Sequence, residues 1–198
     1  MLIKSLRFSF FIIFLFLTGC QARINPKIKM ENGTLDLSEY NLSGGAVKLS
    51  GEWEFYWKEL LDSEDFRSED YSEQKKLVPT PLSWSGYDIS NNQLSSFGYA
   101  TYRAVITANP DWKEPLALKI PRQGTAYRLL INGELMANNG IVGTNRASTE
   151  PQYRIILIQL PRSEQYEIIM QIANYEHRTA GLKNSLIFGT VNQVHSIR

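Results

Sequence analysis

The chain has 198 residues, the length of one ordinary domain, with a formal net charge of +1 and a single cysteine. The near-neutral balance excludes a global electrostatic pull toward nucleic acid or acidic lipid, and one cysteine excludes an intramolecular disulfide. Aromatics make up 12%, with four Trp and ten Tyr, a richness that suits β-structure and sugar-stacking platforms alike.

The amino terminus reads as an export signal. Lys4 and Arg7 supply positive charge, and the run from Phe8 to Leu17 is almost all Phe, Ile and Leu. That run is too short for a spanning helix, which needs ~20 apolar residues, and no second segment is long enough. Leu17-Thr18-Gly19-Cys20 closes it and resembles the lipobox of bacterial lipoproteins. In that family the signal is cut before the cysteine, and the thiol carries a diacylglycerol. The resemblance implies a signal peptide over residues 1–19 and a lipidated Cys20. The alternative is an ordinary secretory signal whose apolar run ends at a cysteine. A lone thiol in an exported protein needs an explanation, and two acyl chains, at ~0.8 kcal/mol per buried CH₂, give stable anchoring where one does not. Gln21 follows the cysteine, and by resemblance to sorting patterns the absence of Asp there favours the outer membrane of a Gram-negative cell. The expected location is therefore the cell envelope, outside the cytoplasm.

Residues 20–31 are polar and read as the lipidated cysteine and its tether, so the domain is expected over 32–198. From there the signals are β. In 51–57, Trp53, Phe55 and Trp57 alternate onto one face. Residues 58–61 are read as a short helical turn. The charged stretch 62–76 is read as a solvated loop; Asp62, Glu64, Asp65 and Asp70 raise calcium, but their spacing does not match an EF-hand. Pro79 and Pro81 make 77–85 extended, and 88–96 is a polar loop. Ala100, Tyr102, Ala104 and Ile106 share one face of a strand, and 116–120 is another. Asn132-Gly133 between apolar runs predicts a type I′ hairpin turn. Strands follow at 154–160, 167–173 and 185–188. Many short strands with regular turns and no long helix imply an all-β, antiparallel β-sandwich or barrel.

The order of Tyr102-Arg103, Asn132-Gly133 and a strand ending in Asn174 resembles the galactose-binding-like jelly roll of the sugar-binding domains of β-galactosidase-type glycoside hydrolases. A closer resemblance rests on Leu35-Asp36-Leu37-Ser38, the run Leu49 to Trp57, Gly98-Tyr99-Ala100-Thr101-Tyr102-Arg103, the run Tyr127 to Glu134, Gly140-Ile141-Val142-Gly143 and Asn174-Tyr175-Glu176-His177-Arg178. Together these resemble the extracellular sensor domain of bacterial seven-transmembrane receptors with diverse intracellular signalling modules. The resemblance implies a jelly roll that binds carbohydrate or a related small ligand, with no cofactor and no catalysis, beside a seven-span signalling partner. Usual members continue into seven spanning helices and an output module; this chain stops at Arg198 and carries a lipobox instead. The family often shows two glycines after the His-Arg pair, where this chain has Thr179-Ala180-Gly181.

Six residues are candidates for ligand contact. Asn174, His177 and Arg178 lie in a loop anchored by a sheet, a setting suited to ligand capture, and Arg178 could hold hydroxyls or a carboxylate in bidentate fashion. The alternative is that Asn174 and Arg178 satisfy loop backbone groups or a buried carboxylate. Arg103 either projects from the sheet toward a ligand or pairs with a strand neighbour. Arg146, with Asn145 and Glu150, either lines a cleft or is solvated. Trp84, like Trp112, lies near prolines in a loop and is a stacking candidate, whereas Trp53 and Trp57 are expected in the core. No metal set is expected, because His177 has only His195 for company. No nucleophile elbow or phosphate loop is present; a structural or protein-interaction lipoprotein without a small ligand is the alternative function, and a glycoside-acting enzyme ranks third.

Overall fold

The computed structural model describes residues 23–68, 70, 71, 73–89 and 91–197. Cys20 and the export signal lie outside the described residues. The strands are β1 (Ile24–Asn25), β2 (Thr34–Asp36), β3 (Ala46–Leu49), β4 (Gly51–Trp57), β5 (Lys76–Thr80), β6 (Asp88–Ile89) and β7 (Asn92–Gln93) in the first half. β8 (Gly98–Thr107), β9 (Leu116–Ile120), β10 (Ala126–Ile131), β11 (Glu134–Asn139), β12 (Ile156–Gln159), β13 (Gln165–Asn174) and β14 (Leu186–Thr190) complete them. Two short helices, α1 (Asp65–Ser68) and α2 (Val191–Ser196), are the described α-helices.

The strands form a jelly-roll β-sandwich of the galactose-binding-like kind. One sheet runs β1-β3-β14-β9-β12, and the other runs β11-β10-β13-β8-β4-β5 with β2 beside β8. Pairing is antiparallel except for β1 on β3 and β2 on β8. The period-2 pattern explains the core. Ala100, Tyr102, Ala104 and Ile106 of β8 are all buried and meet Phe188 and Leu118 of the facing sheet in one apolar cluster. Trp53 and Phe55 are buried and Trp57 is half-buried, as their alternation predicts. The β10–β11 hairpin turns on Asn132 and Gly133, both left-handed at φ 52° and 86°, which is the type I′ geometry.

Three expectations change. The stretch 20–31 is not all tether: β1 docks on β3, and Met30 is buried in the core. No helical turn forms at 58–61. Lys58 is left-handed (φ 60°) and turns the chain across the outer face of the larger sheet, where the Leu61 amide donates to Thr101 Oγ1 at 2.9 Å and Thr101 donates to the Glu59 carbonyl at 2.8 Å. The charged stretch 62–76 is not simply solvated. Ser63 is buried, Phe66 and Tyr71 pack on Tyr56, and Gln171 reaches over to the Leu61 carbonyl. Two of its carboxylates cap their own turn: Asp62 Oδ1 accepts from the Glu64 and Asp65 amides, and Asp65 accepts from the Asp62 amide.

Antiparallel register sets two ends to the sandwich. Gly98 faces Asn174 at one end of the β8–β13 pair, and Thr107 faces Gln165 at the other. The loops 81–97, 140–155 and 175–185 gather at the first end. The loops 37–45, 108–115 and 160–164 gather at the second.

Candidate functional site

At the first end, Asn174 closes β13 and is fully buried. Its amide nitrogen donates to the Ser96 carbonyl at 2.8 Å and the His177 carbonyl at 2.7 Å, and its oxygen accepts the His177 amide at 3.1 Å. Every polar direction of the side chain is spent on the loop, so Asn174 shapes the site and does not face a ligand. Trp84 has the same character. It is fully buried, donates its indole N–H to the same Ser96 carbonyl at 3.2 Å and packs edge-on against Trp57. The expectation of a stacking platform at Trp84 is corrected: nearby prolines signal a loop, and this loop tucks its indole inward. The Trp84 amide also donates to the Ala180 carbonyl, which locks the two loops together.

The exposed side chains rest on that support. Asn145 caps a short turn by accepting the Ser148 amide, and Arg146 follows it. Arg146 reaches Glu176 at 3.2 Å, and the Tyr175 hydroxyl donates to the Thr144 carbonyl, so the 140–155 and 175–185 loops are joined twice. The His177 ring stands edge-on to Tyr153 with centroids 5.3 Å apart, and Tyr153 is 43% exposed. Burial and the Glu176 carboxylate both hold the Tyr153 phenol above its ordinary range, so it stays a neutral donor. Arg178 is exposed and makes no hydrogen bond or ion pair among the described residues. Arg146, His177 and Arg178 are thus brought to one polar rim, with Tyr153 and Glu176 beside them. Tyr153 is not legible as a site residue in the sequence, because its alternation with Ile155 and Leu157 reads as the lead-in to a strand.

Arg103 lies elsewhere. It projects from the outer face of the larger sheet, donates to Glu167 at 2.8 Å and Glu54 at 2.9 Å, and sits 4.7 Å over the Phe66 ring. Its burial disfavours the charge, but the two carboxylates outweigh that and raise its pKa. These donors serve the fold.

The second end holds a cleft of about 580 Å³ between the 108–115 and 160–164 loops, lined among others by Trp112, Lys113, Gln159, Arg162 and Glu164. Trp112 is half-buried; its indole donates to the Tyr40 carbonyl at 3.0 Å, and its own carbonyl accepts from Arg162 at 2.6 Å. None of the six candidates lies in this cleft. Among the described residues no group of three or more His, Cys, Asp or Glu could hold a metal ion, and no helix is long and apolar enough to cross a membrane.

No protein-family model matches the chain, and no curated protein matches its sequence. Solved structures match its fold. A β-glucuronidase from an uncultured Clostridium sp. is 14% identical with a TM-score of 0.53, over 73% of this chain and 29% of that one. A Faecalibacterium prausnitzii β-glucuronidase is 10% identical with a TM-score of 0.54, over 73% of this chain and 31% of that one. A glycosyl hydrolase family 2 member from Bacteroides cellulosilyticus is 13% identical, again at 0.54, over 73% and 20% respectively. This chain therefore spans less than a third of each of those proteins, and what it shares with them is the sandwich.

Proposed function

We propose that this chain is a recognition module of the cell envelope that binds a carbohydrate-like ligand at the Arg146–His177–Arg178 rim without chemistry of its own. The observation that carries the reading is the rim itself: an Arg178 guanidinium with no partner among the described residues and a neutral Tyr153 phenol beside the His177 ring, all exposed, on a buried scaffold of Asn174 and Trp84. A guanidinium suits hydroxyls or a carboxylate, and an exposed aromatic suits a sugar face. The fold is also that of part of several glycoside-acting enzymes. Glycoside hydrolysis uses two carboxyl groups flanking the bond, whereas Glu176 is tied to Arg146, which supports recognition rather than catalysis. In the same reading Cys20 carries the lipid that holds the module to the membrane, and occupancy is relayed to a seven-span signalling partner.

A second reading places the ligand in the Trp112 cleft. It is favoured by volume, since ~300–1,000 Å³ is the usual range for ligand pockets, and by the half-buried indole.

Thermal unfolding across a panel of neutral sugars, uronic acids and glycan fragments separates the two. A ligand at 100 times its dissociation constant stabilises by ~2.7 kcal/mol. The rim reading expects that shift to vanish in His177→Ala/Arg178→Ala, with the unliganded transition unmoved, and to persist in Trp112→Ala. The reverse pattern assigns the cleft. No shift with any member of the panel sinks the carbohydrate reading and leaves a protein-interaction lipoprotein.

A further inference from the structure

A sheet edge presents unpaired amides and carbonyls, and folded proteins usually blunt such edges. Among the described residues, three of the four strands that end the two main strand orders are blunted. β1 is two residues long. β5 carries Lys76 and Pro79. β11 begins at Glu134 and pairs with β10 through a register shift. The fourth edge, β12, has none of these devices. Its neighbourhood reads Ile155-Ile156-Leu157-Ile158-Gln159-Leu160 without a charge, and it pairs only with β9 among the described residues. Ile155 is 57% exposed and Leu157 40%.

The ladder shows which groups are free. The Leu160 amide donates to the Leu116 carbonyl at 2.9 Å, in register with Ile158 on Leu118 and Ile156 on Ile120. Even-numbered residues therefore bond to β9, and the backbone groups of Leu157 and Gln159 point outward. Ile155 and Leu157 lie on the outer face of the smaller sheet, while Ile156 and Ile158 pack toward the core.

The geometry points to a second copy of this chain as the occupant of this edge, in an antiparallel β12–β12 pair about a two-fold axis on Ile156. Two prolines flank that residue at equal distance, and residues 152–155, which precede β12, would extend the strand in such a pair. Pro151 and Pro161, five residues to either side, would oppose each other outside the ladder, where their missing donors cost nothing. In this register Ile155 faces Leu157 of the second copy twice over, covering the exposed apolar pair, and opposed apolar side chains of this kind stabilise a sheet. It also brings Glu150 toward Arg162 of the second copy, both exposed and free of any ion pair among the described residues. A register shifted by one step, with the axis on Leu157, would instead set Glu150 against Glu164, and one shifted by two, with the axis on Ile158, would set Arg154 against Arg162. The same surface meets itself, as a closed two-fold pair requires. The contact is small beside the ~1,200 Å² at the lower bound of standard interfaces, so the pair is expected to dissociate on dilution.

The test uses the full chain with Cys20→Ala in mild detergent, followed by sedimentation over a concentration series. A monomer–dimer equilibrium is expected, lost in Leu157→Lys with the thermal transition of the fold retained. Ile156 opposes itself at the non-hydrogen-bonded position, where Cα atoms are ~4.5 Å apart, within disulfide reach. Ile156→Cys in the Cys20→Ala chain should therefore form an intermolecular disulfide on mild oxidation, and the exposed Ile141→Cys should not. A chain that is monomeric at every concentration overturns the proposal, whatever other strand the edge then accepts. So does a dimer that survives Leu157→Lys, or one that cross-links through Ile141→Cys as readily as through Ile156→Cys.

Discussion

Arg103 illustrates how a side chain can carry two opposite readings in sequence and one in space. Glu54 is 8% exposed and takes Arg103 and the Tyr56 hydroxyl as partners; Glu167 takes the other side of the guanidinium. Removing Arg103 leaves Glu54 with Lys75 alone, at 3.7 Å, and Glu167 with no ion pair among the described residues. Arg103→Ala is expected to destabilise the fold by about 2–3 kcal/mol, less than a fully buried pair would cost because Arg103 keeps some solvent contact. Arg103→Ala/Glu54→Gln should recover part of that loss, and the ligand shift should be unchanged in both. Chemical denaturation of the two variants checks this; loss of ligand response in a stable Arg103→Ala would return the residue to the site. The buried phenols set a second expectation. Burial pushes Tyr87 and Tyr127 up to about 12 from 10.0, so the folded state holds the protonated form. That stability is whole below pH 10 and is lost as the pH rises toward 12, each phenol giving up about 1.4 kcal/mol for every tenfold fall in proton concentration across that window. An alkaline titration followed by tyrosinate absorbance should show the buried phenols ionising together with loss of the fold, above the exposed ones. A single non-cooperative transition near 10 would contradict it.

Strands are far more legible in the sequence than the segments that cross them. β8 announces itself because alternate residues differ in polarity, and the Asn132-Gly133 turn because few dipeptides tolerate two left-handed residues in a row. The crossing at 58–75 has no such local signature. Its contacts run to Thr101 and Gln171, which are remote in sequence, and Asp62 and Asp65 look solvated because their role is to cap their own turn. Trp84 misleads for a related reason. Proline neighbours identify a loop, but the inward turn of the indole depends on Trp57 and Ser96, which no local pattern reveals. Trp84→Ala is therefore expected to act on stability, by roughly 3–5 kcal/mol as for other buried aromatics, with melting lowered and ligand response intact in the fraction that folds. A Trp84→Ala protein with an unchanged transition and no ligand response would restore the stacking role. That Arg146, His177 and Arg178, the proposed rim, are exposed loop residues is legible because each follows a strand or a tight turn in a polar run. Their assembly across two loops, through Glu176 and Tyr175, is not.

The placement of residue 23 links the proposed anchor to the proposed rim. The Arg23 carbonyl accepts the Ala46 amide, and β1 then runs alongside β3. Residue 23 thus sits beside the 37–45 loop, at the Trp112 end of the sandwich. Three residue steps lead from Cys20 to it, a reach of about 10 Å at full extension. An acylated Cys20 would hold that end against the bilayer and turn the rim outward, where a glycan can arrive. The same constraint bears on pairing along β12. The two-fold axis reverses the second copy, so the two residue-23 ends point in opposite directions, and one flat membrane can hold the anchor of only one member. Anchoring and pairing would then compete on a single surface, and pairing would be confined to unanchored chains or to facing membranes. Expression with a clickable fatty acid checks the first step: label is expected in the natural chain and absent in Cys20→Ala. On vesicles carrying the labelled protein, Arg178→Cys should react readily with a membrane-impermeant maleimide, and Lys113→Cys should react more slowly. Label retained in Cys20→Ala would remove the anchor, and equal reactivity at the two ends would remove the orientation while leaving the anchor in place.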